Sequence, residues 1–189
     1  IYTGATATSL SVSGITLSGT FDYRVIITSP GVGCVSATSN TASLTVIDPI
    51  AITLNPVSNS TICAQGSVTY TVNATGGTPS LNYTWQYRNP SNGNWVLPTT
   101  NPPAGAVFSG QGTNAFTVSG ITQSGTWEYR CLVSASGSGC ANTSSASAFL
   151  TVVPDPTIST QPAANTTVCL NGSLTLSTIA ANGTPALNY

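Results

Sequence analysis

Short runs in which apolar and polar residues alternate fill this chain, punctuated by Gly, Pro, Asn and Ser every ten residues or so. In "NYTWQYR" (82–88), Tyr83, Trp85 and Tyr87 share one face of an extended segment, and Thr84, Gln86 and Arg88 share the other. A period of two is the pattern of a half-buried strand. Over 49–153 it predicts strands at 52–54, 67–74, 82–88, 95–97, 115–119, 126–135 and 146–153. "NPSNGNW" (89–95) predicts a tight hairpin, with Asn92-Gly93 supplying positive φ. No segment combines helical periodicity with caps, so the expected fold class is all-β.

The pattern also repeats on a larger scale. Shifted by 106 residues, the chain lies on itself without a gap, and about two fifths of the 83 overlapping positions are identical. "SGITLSGTFDYRV" (13–25) falls on "SGITQSGTWEYRC" (119–131), and "NSTICAQGSVT" (59–69) falls on "NTTVCLNGSLT" (165–175). "VIDPI" (46–50) and "VVPDP" (152–156) close equivalent strands with prolines, which end ladder pairing and stiffen joints. The expected domains are therefore 1–47, the C-terminal part of one repeat; 48–153, a complete repeat; and 154–189, the N-terminal part of the next. Without a start methionine, the chain reads as a window on a longer protein. The competing expectation is that the two ends are real, and that the tail of one copy completes the head of the next by strand addition.

Seven or so strands in a repeat of this length predict a two-sheet sandwich of immunoglobulin type. Trp85 stands where such a sandwich buries a tryptophan on its third strand. "WEYRC" (127–131) places Tyr129 two residues before Cys131 on the penultimate strand, as in a tyrosine corner. The usual second-strand cysteine is missing, with Val68, Tyr70 and Val72 in that region, and the other copy has Val25 in place of Cys131. Cys131 is expected to be a free core cysteine.

These motifs, "C-x-x-G-S", "G-T-P-x-L-N-Y-x-W", "S-G-T-[FW]-x-Y-R" and "G-x-G-C" before "L-T-V", form one recurring module. The module resembles the immunoglobulin-like tandem repeats of giant secreted surface proteins and gliding-type adhesins of Bacteroidota-like bacteria. That resemblance covers essentially the whole chain. It implies export to the cell surface, tandem arrays and a structural or adhesive role, and it implies no catalytic residue.

Charge narrows the function further. The chain has three Lys+Arg, four Asp+Glu and no His, for a net charge of −1. A nucleic-acid backbone needs clustered cations, so nucleic acid is excluded as a partner. No apolar run reaches the roughly 18–20 residues that span a bilayer, so membrane insertion is not expected. Without His or Lys, most acid–base and nucleophilic schemes lack their base, so no catalytic residue and no cofactor is predicted. Asp22 with Arg24, and Glu128 with Arg130, read as small ion pairs at equivalent strand positions. Zinc lacks paired close ligands and calcium lacks carboxylates at the joints, so no metal is predicted.

Four cysteines are disulfide candidates. Cys63 and Cys169 precede the second strand of their repeats, and Cys34 and Cys140 lie in the turn before the last. A Cys63–Cys140 bridge within the repeat, a staple between neighbouring repeats and free thiols are all open. In a sandwich the two turns lie at opposite ends, on the order of 25 Å apart, whereas a disulfide needs Cα atoms within about 7 Å. Among the Asn-x-Ser/Thr sequons, Asn59 and Asn165 lie in turn-like contexts and are the glycosylation candidates. Trp95, just after the hairpin, is the candidate ligand-contact aromatic, together with the loop at 97–108; the alternative is that it packs across the sheet beside Arg88.

Three functions fit these features. The first is a spacer or stalk module of an extracellular filament or very large surface adhesin, with neighbouring repeats of the same or an adjacent chain as its partners. The second is a module that binds a ligand or glycan in its own right. The third is an accessory region of a secreted enzyme.

Overall fold

The computed structural model describes residues 1–77, 80–89, 93–136, 139–183 and 187–189. The N-terminal segment holds β1 (Tyr2–Thr3), β2 (Ser11–Val12), β3 (Gly19–Tyr23), β4 (Ile26–Ile27), β5 (Ala37–Thr38) and β6 (Ala42–Val46), paired β1–β2, β3–β6 and β4–β5. The complete repeat holds β7 (Ala51–Leu54), β8 (Asn59–Cys63), β9 (Ser67–Thr71), β10 (Asn73–Thr75), β11 (Leu81–Arg88), β12 (Val107–Ser109), β13 (Ala115–Ser119), β14 (Gly125–Ala135), β15 (Thr143–Ser144) and β16 (Ala148–Val153). In the C-terminal segment, β17 (Thr157–Thr160) pairs with β18 (Ile179–Ala181).

The ten middle strands make two layers. One runs β7–β10 and, through the same stretch of chain, β9–β13–β12; the predicted 67–74 strand is broken at Val72, and β10 carries a register shift at Asn73/Ala74. The other runs β11–β14–β16–β8, with β15 on the far half of β14. A layer of β7, β9 with β10, β13 and β12 facing β11, β14, β16 and β8 follows the immunoglobulin strand order, with the first strand shared between the layers. The first strand is split between the sheets: β7 pairs antiparallel with β10, and after Pro56 the chain crosses over so that β8 pairs parallel with β16. The complete repeat is an immunoglobulin-like β-sandwich.

Several expectations change. "NSTIC" (59–63) is a strand, not a turn, because its ladder partner Phe149–Val153 lies 90 residues away in sequence. The predicted 95–97 strand shrinks to one bridge, Tyr87 with Val96. Gly93 has φ 72°, as the hairpin requires, while Asn92 lies outside the described residues.

Inward-facing residues of both sheets form one core, all of it between Ile50 and Val152. Trp85 is fully buried, stacks on Phe116 with centroids 5.1 Å apart, and donates from Nε1 to the Thr113 carbonyl at 2.8 Å. Phe108, Tyr87, Tyr129 and Tyr70 extend the aromatic stack. Cys131 is fully buried on β14 opposite Trp85, and burial pushes its thiol up to about 11.

The tyrosine corner is not formed. Tyr129 points into the core against Tyr70, and its hydroxyl has no hydrogen-bond partner among the described residues. Burial, then Tyr70 and Tyr87, raise its pKa. A buried donor without a partner costs about 1–3 kcal/mol. Tyr129→Phe is therefore expected to keep or raise the melting temperature by a few degrees. A fall of several degrees in a calorimetric scan would instead reveal a hydrogen bond at this hydroxyl.

Candidate functional site

Most charge in the complete repeat sits in one place. Of the four charged residues in 48–153, three lie on the outer face of the β11–β14 pair: Arg88, Glu128 and Arg130. Strand alternation turns them away from the core, and the antiparallel register sets Arg88 opposite Glu128 and Gln86 opposite Arg130. The contacts follow this register. Arg88 Nε donates to Glu128 Oε2 at 2.6 Å, and Arg88 Nη1 donates to the Gly93 carbonyl at 3.2 Å. Arg130 Nε donates to Gln86 Oε1 at 2.9 Å. The expected Glu128–Arg130 pair is thus replaced by a cross-strand pair, because the opposite residue is closer than the one two positions along.

Glu128 is only 4% exposed. The Arg88 hydrogen bond holds its carboxyl below the usual value, with help from Ser147 and against the effect of burial. Arg130 is held below its ordinary value by burial and then by the Arg88 charge, and Glu128 offsets part of this. Trp95 is half-buried and lies across both cations, with the Arg88 and Arg130 guanidinium carbons 4.6 and 4.2 Å from its ring centre. Beside Arg88 opens a cleft of about 650 Å³, bordered by Tyr87, Asn94, Asn101 and Trp127. The Tyr87 hydroxyl donates to the Thr100 carbonyl at 2.7 Å and also to the Asn101 carbonyl, which ties the 97–108 loop to the core.

The other candidates lie apart. Cys63 ends β8 beside Val153, level with the start of β14, whereas Cys140 lies in the turn after β14. The two levels are separated by the length of β14, about 33 Å at 3.3 Å per residue. A Cys63–Cys140 bridge inside the repeat is therefore out of reach. All five cysteines are unpaired, with Cys34 and Cys169 exposed. Asn59 and Asn165 are exposed, Asn59 on edge strand β8 and Asn165 with φ 57°. Among the described residues, no group of three or more His, Cys, Asp or Glu could hold a metal ion. No helix among them is long and apolar enough to cross a membrane.

No family model matches the chain, and no curated protein matches it. Solved structures of tandem immunoglobulin domains are similar to it. Extracellular domains 3–5 of Drosophila OTK match 85% of this chain at 18% identity and a TM-score of 0.43, with 48% of that chain covered. Immunoglobulin domains 1–4 of Sidekick-1 match 86% at 18% identity and a TM-score of 0.40, with 41% covered. The titin I-band fragment I67–I69 matches 77% at 13% identity and a TM-score of 0.46, with 45% covered. The chain thus spans less than half the length of these structures. The fold assignment rests on the strand order given above.

Sequence reasoning set Trp95 beside Arg88, as the structure has it, but missed Arg130 and its Gln86 partner on the same face. Their signal was present: Gln86 and Arg88 share the polar face of one strand, and Glu128 and Arg130 share that of another.

Proposed function

We propose that this chain is part of a tandem array of immunoglobulin-like repeats that acts outside the cell as a spacer in a filament or large surface adhesin. The observation that carries this reading is a recurring clamp between each linker and the repeat that follows it. The Asp48 carbonyl accepts the Gly77 N–H at 2.9 Å, and one period later the Pro154 carbonyl accepts the Gly183 N–H at 3.1 Å. Gly77 has φ 61°, and a Cβ there would come within 2.7 Å of Ile50 Cγ1. The linker is therefore an integral part of the next sandwich and leaves little slack at the joint. A short, clamped, proline-bearing joint suits a module whose task is to hold distance.

The test is small-angle scattering from a fragment with two complete repeats. The parent is expected to give an extended, narrow distance distribution. Gly77→Val, placed in the second repeat, is expected to broaden and shorten it. A parent as broad as the variant would refute the stiff spacer.

The partners in this reading are neighbouring repeats. Cys63 sits at the pole where the chain leaves the repeat, and Cys140 at the pole where it enters, so a disulfide staple would join Cys63 to the late cysteine of the following repeat. Two thiols would lose two protons and pass two electrons to a small-molecule or oxidoreductase disulfide, as an oxidising compartment allows. Non-reducing peptide mapping of a multi-repeat fragment is expected to recover a Cys63 peptide linked to the next repeat's turn; fully alkylatable thiols would exclude the staple. Exposed Asn59 and Asn165 would carry N-glycans, and intact-mass measurement of native material would detect them.

A further inference from the structure

We propose that the outer face of β11 and β14 is a binding site for a carboxylate-bearing saccharide, with Arg130 as the carboxylate fork and Trp95 as the platform for a sugar ring. This site does not depend on the spacer role.

Charge balance on this face is uneven. Glu128 and Arg88 neutralise one another through the 2.6 Å contact. The second donor contact of Arg88 goes to the Gly93 carbonyl. Among the described residues, the hydrogen-bond acceptor of Arg130 is the neutral Gln86 amide. The remaining acid of the repeat, Asp48, lies in the linker, at the opposite end of β11 from Arg88. A guanidinium has five N–H donors in a fixed fork. Among the described residues the Nε contact uses one of them, and the partly exposed Nη donors have the bidentate geometry that carboxylates match.

Its orientation is already set. The Gln86 contact and the Trp95 ring 4.2 Å away hold the guanidinium in place before any ligand arrives. A ligand therefore meets a cation whose ordering entropy is already lost and which is partly stripped of water. Arg88 nearby repels it, and an incoming carboxylate would relieve that repulsion.

The surroundings select the class of ligand. The uncompensated charge is one, too little for a nucleic-acid backbone. The neighbours are amide and hydroxyl groups, Thr84 and Gln86 on β11 and Asn94 at the cleft, rather than a continuous apolar patch. Such groups pair with sugar hydroxyls, and a half-buried indole covers the apolar face of a pyranose ring. Arg24 occupies the Arg130 position one period earlier. An array would therefore present this cation at regular intervals, so weak single sites would add up on a polymeric acidic glycan.

The test uses the 189-residue chain, hexagalacturonate as the probe and its carboxyl-reduced neutral form as the control. Tryptophan fluorescence is the readout, since Trp85 and Trp127 are buried and Trp95 is the accessible indole. Saturable quenching by the acidic oligosaccharide, weakened by salt, is expected, with none from the neutral form. Arg130→Gln is expected to weaken binding by about tenfold or more, and Arg130→Lys, which keeps the charge but loses the fork, by several-fold. A thermal melt of each variant within a few degrees of the parent shows that the fold is kept. Equal binding of the neutral oligosaccharide, unchanged affinity in a folded Arg130→Gln, or no binding up to about 10 mM would overturn the proposal. Tighter binding of a glutamate-rich peptide would overturn the saccharide assignment.

Discussion

Trp85→Ala is expected to lower the melting temperature of the complete repeat by roughly 15 °C or more. Trp85 is the largest fully buried side chain, and it joins the two sheets by stacking on Phe116 of β13. Truncating a buried Trp costs about 3–5 kcal/mol in lost burial and cavity formation. The Thr113 carbonyl also loses the indole donor. Domains of this size hold only about 5–15 kcal/mol in total. Trp85→Phe separates the two contributions. It keeps most of the ring burial and loses the hydrogen bond, so it should cost noticeably less. Calorimetry on both variants checks this, and a shift below about 5 °C for the alanine variant would contradict the packing described here.

Glu128→Gln is expected to destabilise the repeat at neutral pH and to flatten the acid limb of its stability curve. The glutamine keeps the shape but leaves Arg88 and Arg130 facing each other without an anion. Breaking a fully buried pair costs about 3–5 kcal/mol. The Arg88 side chain is 30% exposed, so solvent screens the loss, to about 1–3 kcal/mol. The sign of the pH dependence follows from the lowered carboxyl. Its folded pKa lies below the ordinary value of 4.5, so its stabilisation is complete above that value. The stabilisation disappears as pH falls through the lower, folded value, where the folded carboxylate finally takes up a proton. Urea melts from pH 7 to pH 2 should show a parent–variant gap that is full at neutral pH and shrinks in acid. A gap independent of pH would mean that charge is not what Glu128 contributes.

The candidate site shows how far sequence reasoning reached. Trp95 was visible because a tryptophan beside a turn in a chain poor in charge attracts notice. Its place beside Arg88 followed from the hairpin, but its second guanidinium neighbour did not, since Arg130 lies 35 positions from Trp95 and only the β11–β14 register brings it there. The same register decides that Glu128 serves Arg88 rather than Arg130. The fold was more legible. Alternation in "NYTWQYR" and "GTWEYRCLV" marks strands because a period of two is written locally, residue by residue. "NSTIC" escaped because a short edge strand with mostly polar residues carries little alternation. Its pairing with Phe149–Val153 is what makes it a strand.

The sequence by itself determined the 106-residue repeat, the strand-forming stretches, the inward and outward faces of the long strands and the place of the proline-bearing joints. Each of these depends on neighbours a few positions apart, or on direct comparison of one copy with another. The tertiary structure decided which sheet each half of the first strand joins, and that β8 runs parallel to β16. It also decided that Tyr129 turns its hydroxyl into the core rather than into a corner, and that Arg130 donates to the Gln86 amide while Glu128 pairs with Arg88. These depend on register between segments tens of residues apart. Many pairings satisfy the same local pattern, and only the closing of one common core selects among them.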